Sequence, residues 1–114
     1  MSNADQRFFP RIQLAFTAHC SIRGCAVRDA VADLSEGGLY LRTREAARAG
    51  TPVRVALALP FPGGPKYCTL VGVVVRVDRD ARGLVKGLGV SFEGVGTDLR
   101  DRASLKGFLS KTAA

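Results

Sequence analysis

Thr51-Pro52-Val53-Arg54-Val55-Ala56-Leu57-Ala58-Leu59-Pro60 alternates strictly. Val53, Val55, Leu57 and Leu59 fall on one face and Arg54, Ala56 and Ala58 on the other, the period-two pattern of a strand with one buried side. The next five residues, Phe61-Pro62-Gly63-Gly64-Pro65, cannot continue a ladder, because two prolines lack the amide donor and two glycines favour a turn. Beyond them Lys66 to Arg79 is long and rich in valine, so the two runs form a hairpin.

The same reading extends outward in both directions. From Arg11 to Ser21, Ile12, Leu14, Phe16 and Ala18 alternate with Gln13, Ala15 and Thr17. Gly24 then punctuates, and Cys25 to Leu34 forms a second strand that ends in Asp33-Leu34-Ser35-Glu36-Gly37-Gly38. A third strand, Gly38 to Arg42, leads into Thr43 to Gly50, either a single helical turn or a loop ended by Gly50. The stretch from Asp78 to Gly83 is a polar turn into the last strand, Leu84 to Phe92. Six strands separated by turns, with no long helix among them, predict an all-β fold. It is a six-stranded antiparallel sheet that closes on itself as a small β-barrel and so removes its edges. Beyond Gly94 the pattern changes to near-helical spacing at Leu99, Ala103, Leu105, Phe108 and Leu109, with Thr97 or Asp98 as cap. The division is then a disordered tail at 1–6, the barrel with an N-terminal arm (7–11) at 7–96, and a short C-terminal α-helix at 97–111 packed on the barrel.

Composition narrows the function classes. The 114 residues suit one domain, and 46% apolar residues can fill its core. The net charge of +7, carried mostly by arginine, suits a polyanionic partner. The longest uncharged stretch, Val55 to Pro65, is interrupted by proline and glycine and is too short to span a bilayer, so no membrane insertion is expected. Polar residues ahead of Arg7 and the lack of an apolar run after it predict a cytoplasmic protein with no export signal. Three cysteines, an odd number, argue against a disulfide framework. Cys20 and Cys68 read as core or near-core side chains and His19 as outward-facing. Neighbouring His19 and Cys20 point to opposite sheet faces, so no metal is expected. One histidine, no phosphate loop and no nucleophile with a base predict that the chain is not an enzyme, and no cofactor is called for.

Two stretches carry the chemistry. In Arg7-Phe8-Phe9-Pro10-Arg11 two guanidinium groups stand four residues apart. Pro10 fixes its own φ and biases Phe9 to extended backbone, so this arm is a tether. Each guanidinium offers a planar fork of donors for phosphate oxygens or for the O6/N7 edge of guanine. In Asp33-Leu34-Ser35-Glu36-Gly37-Gly38 the carboxylate can accept from guanine N1–H and its amino group, the hydroxyl can donate to phosphate, and glycine lets backbone approach closely. Taken alone, Asp33 and Ser35 merely close a hairpin with Gly37 and Gly38 supplying positive φ, and the arginines are solvated charges. Taken together, they describe a site for an anionic ligand that carries guanine.

The pair resembles the signature of PilZ domains, the bacterial receptors for the second messenger cyclic di-GMP. That signature is R-x-x-x-R followed, a few tens of residues on, by D/N-x-S-x-x-G at a strand-to-strand turn. Arg7 and Arg11, then Asp33, Ser35 and Gly38, match it in full. Leu39-Tyr40-Leu41 looks like the family's apolar strand after the turn, and Gly87 to Phe92 like its closing strand. The resemblance implies that cyclic di-GMP is the ligand. Arg7 and Arg11 clasp guanine edges and phosphates, Asp33 and Ser35 surround one base and its phosphate, and Gly38 shapes the turn. It also implies that binding orders the arm and signals to an effector protein or to a second copy in a homodimer. Gln6 stands where many members carry a further basic residue, so one or two ligands per chain are both open.

Two other readings share these residues. Some PilZ proteins have lost ligand binding and act only as protein–protein adaptors. A basic barrel can also bind single-stranded nucleic acid by stacking bases on exposed aromatics. With no Trp and only Tyr40 and Tyr67, that surface is poorly supplied, and no specific nucleic acid is expected.

Overall fold

The computed structural model describes residues 12–92, 96 and 98–113, with side chains from 17 to 110 within that set. The calls on residues 1–11, including Arg7 and Arg11, lie outside the described residues. Six strands, β1 (Ile12–Ile22), β2 (Cys25–Leu34), β3 (Gly38–Arg42), β4 (Pro52–Leu59), β5 (Lys66–Arg79) and β6 (Val85–Ser91), precede one helix, α1 (Leu99–Ala113). The strands close into a barrel in the order β1-β2-β3-β6-β5-β4, every neighbouring pair antiparallel.

Closure depends on the unequal lengths of the strands. The 14 residues of β5 pair first with β4, from Lys66 to Val73, and then with β6, from Val73 to Arg79. The barrel closes where His19 to Ile22 of β1 meet Val53 to Ala56 of β4. The alternation that predicted β4 is seen directly: Val53, Val55, Leu57 and Leu59 are buried, and Arg54, Ala56 and Ala58 are exposed. Cys20 and Cys68 lie in the same interior, and His19 faces out.

The connections follow local chemistry. Arg23 and Gly24 link β1 to β2 with φ of 55° and 78°, the sign a two-residue hairpin turn requires. In the β5–β6 turn, Asp80 Oδ1 accepts from the amides of Arg82 (2.8 Å) and Leu84 (3.0 Å). Thr43 to Gly50, left open between a helical turn and a loop, is a loop. Ala47 is buried as a plug, and the end of the loop is stitched to β5 by Gly50 N–H to Val74 O (2.6 Å) and Val74 N–H to Thr51 O (2.9 Å).

The helix begins at Leu99 with Asp98 as its cap, one of the two the sequence offered: its Oδ1 accepts from the Arg100 amide at 2.7 Å, and Thr97 lies outside the described residues. The expected apolar stripe is narrower than its spacing suggested. Leu105, Phe108 and Leu109 are buried, whereas Leu99 and Ala103 are exposed, since only the later turns meet the barrel. Phe108 packs edge-to-face on Phe61 at 6.1 Å, and Arg102 Nη2 donates to Phe92 O at 3.0 Å.

Candidate ligand-binding face

The loop between β2 and β3 is held by Ser35. Its side chain is buried, and Oγ accepts from the amides of Gly37 and Gly38, both at 3.2 Å, and donates to Gly38 O at 3.3 Å. A hydroxyl has one donor and two acceptor sites, so all of its capacity is used inside the loop. The backbone adds Ser35 N–H to Gly38 O (2.8 Å) and ties the loop to the end of β6 through Phe92 N–H to Gly37 O (2.8 Å). The sequence reading gave this hydroxyl to a phosphate; in the structure it braces the loop.

Gly37 and Gly38 do not have the positive φ the hairpin reading assigned to them. Gly38 answers a different constraint. A Cβ there would run into the backbone carbonyl oxygen of Val90 on the neighbouring β6, so the turn sits closer to that strand than any side chain permits.

Asp33 reaches the outer face by way of a β-bulge. The β2–β3 register runs Val31 opposite Leu41 and then Asp33 opposite Tyr40, leaving Ala32 as an extra residue. Period-two alternation from the buried Val31 would carry Asp33 into the barrel. The extra residue shifts the phase, so that Leu34 is buried and Asp33 is turned outward and half-buried.

From Asp33 a row of side chains crosses the outer face. Asp33 is opposite Tyr40 on β3, Tyr40 is opposite Gly89 on β6, and Gly89 is opposite Arg76 on β5. Gly89 carries no side chain, so Arg76 lies across it and places its guanidinium 5.3 Å from the centre of the Tyr40 ring. Asp78 fixes both: its Oδ2 accepts from Tyr40 Oη at 2.8 Å and its Oδ1 from Arg76 Nε at 3.1 Å. Gly87 leaves the space that the Tyr40 ring fills. Burial, and then the bond to Asp78, hold the Tyr40 hydroxyl above its ordinary pKa, while the Arg76 and Arg42 charges pull the other way. The Arg76 side chain remains 55% exposed, so its guanidinium is presented to solvent on this face.

The structure thus brings Asp33, Ser35 and Gly38 together at one edge of this face. Tyr40, Arg76 and Asp78 were not singled out from the sequence. Their signal was the glycine pair Gly87-x-Gly89 inside a strand, which marks a place where something large lies across the backbone. Among the described residues there is no group of three or more His, Cys, Asp or Glu placed to hold a metal ion, and no helix long and apolar enough to cross a membrane.

With the barrel and this face in view, comparison with known proteins is decisive for the family. The family model described as PilZ domain matches residues 5–111, and the chain belongs to that family. PilZ domains are regulatory and receptor modules. The fold is similar to that of the Bacillus subtilis inhibitor of motility MotI/DgrA, with a TM-score of 0.78 and 14% identity over 95% of this chain and 51% of that one. It is also similar to the PilZ domain of YcgR from Escherichia coli, whose structure was solved with c-di-GMP (TM-score 0.64, 16% identity, 95% of this chain and 94% of that one). A third likeness is to the PilZ domain of CeSA from a cellulose-synthesizing bacterium (TM-score 0.62, 18% identity, 91% and 98%). The chain spans about half the length of the MotI/DgrA chain. No curated protein matches the sequence.

Proposed function

We propose that this chain is a cyclic di-GMP receptor module whose ligand lies between the N-terminal arm and the outer face around Asp33. The observation that carries this reading is the bulge at Ala32, which spends one residue of register to turn a carboxylate out of the core, at one end of a row that ends in the exposed Arg76. Asp33 accepts from the N1–H and amino group of one guanine. Ser35 and Gly38 hold the loop in the shape that presents Asp33. The exposed plane of Arg76, steadied by Asp78 and Tyr40, offers a stacking surface and a positive charge for the adjoining base or phosphate.

Arg7 and Arg11 complete the site. The first described residue of β1, Ile12, is the register partner of Leu34, and Gln13 that of Asp33. The described barrel therefore begins beside this loop, which is where the proposal has the two arginines act. A basic arm is repelled by a basic barrel; a dianion between them removes the repulsion and bonds to both, so binding orders the arm. The ordered arm is then read by an effector protein or by a second copy of the chain, in the cytoplasm. The solved complex of the YcgR PilZ domain with c-di-GMP supports this choice of ligand.

Isothermal calorimetry tests the reading, with cyclic di-GMP titrated into wild type, Arg11→Ala and Asp33→Ala, and GTP as control ligand. Micromolar or tighter binding, lost in both variants and absent with GTP, is the expected result. No heat at about 100 μM folded protein would put the dissociation constant in the millimolar range or weaker, and would leave a PilZ protein adaptor that acts without the ligand.

A further inference from the structure

Arg23, Arg48 and Arg79 line one recess of about 600 Å³, together with Ala47, Thr51 and Pro52. They come from three separate elements: the β1–β2 turn, the β3–β4 loop and the last residue of β5. Arg23 and Asp33 stand at opposite ends of β2, so roughly 30 Å of strand separates this recess from the loop of Asp33 and Ser35.

The recess is built and not a chance crossing of long side chains. Arg23 Nη1 donates to Ala46 O at 3.2 Å, and Arg79 Nη1 donates to Gly83 O at 3.0 Å. The loop that carries Arg48 is fixed by reciprocal bonds, Arg48 N–H to Thr51 Oγ1 (3.2 Å) and Thr51 N–H to Arg48 O (3.1 Å). A guanidinium has five N–H donors, so each arginine keeps most of its capacity. Among the described residues no carboxylate lines the recess. Asp80, next in sequence to Arg79, is committed elsewhere, with Oδ1 on the Arg82 and Leu84 amides and Oδ2 near Arg44 at 3.8 Å.

Three permanent positive charges around a concavity, without a compensating acid, repel one another and concentrate anions. Arginine suits phosphate in particular, because its fork meets two oxygens at once. The volume lies within the range of about 300–1,000 Å³ usual for small-molecule sites, and so leaves room beyond the phosphate for an organic group against Ala47 and Pro52. We infer that this recess is a second anion site, distinct from the Asp33 face, that takes a soluble phosphorylated small molecule, a phosphomonoester or a diphosphate. The site stands whether or not cyclic di-GMP binds at Asp33. A flat bilayer surface meets only the rim of a recess, which favours a soluble ligand over a lipid headgroup.

The test is an amide NMR titration of the full chain with inorganic pyrophosphate at about 150 mM salt, where exposed charges are screened beyond about 8 Å. Saturable shifts at Arg23, at Ala46 to Thr51 and at Arg79 are expected. Arg48→Gln and Arg79→Gln each weaken them about tenfold or more, and Arg48→Lys falls between. The Arg48 side chain braces no part of the loop, so its variant keeps the wild-type spectrum. Shifts that do not saturate, that survive Arg48→Gln, or that centre on Asp33 to Gly38 overturn the proposal. So does co-sedimentation with phosphatidylglycerol vesicles that Arg48→Gln abolishes, since it gives the recess to a lipid headgroup.

Discussion

Asp33 and Tyr40 face each other across the β2–β3 ladder because Ala32 stands unpaired between Asp33 and Val31. That one residue lets a single strand serve two purposes. Val31, odd-numbered, turns into the core and so does Leu34, even-numbered, while the acidic residue between them is turned outward and half-buried. The carboxylate is thereby kept out of the barrel interior, where it would be costly to bury.

Deleting Ala32 removes the extra residue and leaves plain alternation with the same faces: Val31 inward, Asp33 outward opposite Tyr40, Leu34 inward opposite Leu39. No carboxylate is driven into the core, so the variant should keep the fold with a loss of about 1 kcal/mol or less. Urea unfolding followed by circular dichroism reads this as a midpoint close to wild type. A loss of about 3 kcal/mol or more would mean that the bulge itself, and not only the phase it sets, is needed by the strands on either side.

The loop after Asp33 gives a graded pair of variants. Ser35→Ala leaves the buried amide of Gly38, and that of Gly37, without their side-chain acceptor, a loss of about 1–3 kcal/mol with no ligand present. Gly38→Ala sets a methyl group against the backbone oxygen of Val90, which cannot rotate away, and opens the β3–β6 ladder at a cost of about 3 kcal/mol or more. Gly87→Ala meets only the ring end of Tyr40 and is milder; it displaces that ring and breaks the bond to Asp78. Thermal denaturation of the three apo variants should rank them Gly38→Ala as worst. A Ser35→Ala protein of wild-type stability would return that hydroxyl to a purely ligand-directed role.

Much of this was legible in the sequence, and the exceptions share a cause. The strands, the closed barrel and the capped helix follow from alternation, from Pro and Gly at the turns, and from Asp98, all of which are local signals. The phase change at Ala32 leaves no such mark, because Val31-Ala32-Asp33-Leu34 reads equally well in either phase until the register with Leu41 and Tyr40 is known. The Tyr40–Asp78 bond joins residues 38 apart, and Arg76 reaches Tyr40 only across a glycine on a third strand. Of the two reasons the sequence offered for a glycine at position 38, close approach of backbone and positive φ, the fold shows a close approach, to the neighbouring strand, and no positive φ.

Tyr40 offers a pH-dependent readout of the outer face. Its hydroxyl, raised by burial and then by Asp78, stays protonated in the folded chain at pH values where the unfolded chain ionises it. The stability this contributes is fully present below the ordinary value of 10.0 and is lost as the pH rises through the folded value. Ultraviolet titration should show one tyrosine ionising late, and Asp78→Asn should bring it partway back. Tyr40→Phe should cost about 0.5–1.5 kcal/mol, one part-buried hydrogen bond. A wild-type titration with no late phase would show that the hydroxyl does not hold Asp78 in solution.

The three thiols divide by position in the barrel, and the division can be measured chemically. Cys20 and Cys68 are buried, and desolvation first, then Asp29 and Asp101 respectively, pushes each up from 9.0 to about 11. Cys25, at the start of β2, is exposed. The thiolate is the species that alkylates, so iodoacetamide at about pH 8 should modify one cysteine rapidly in the native protein and all three in denaturant. Because the folded values of Cys20 and Cys68 lie above the unfolded ones, their contribution to stability is fully present below pH 9.0 and is lost as the pH rises through about 11. Cys20→Ala and Cys68→Ala should each flatten that alkaline loss, at the cost of a small cavity. Rapid native modification of more than one thiol would show that the barrel opens readily enough to expose its interior.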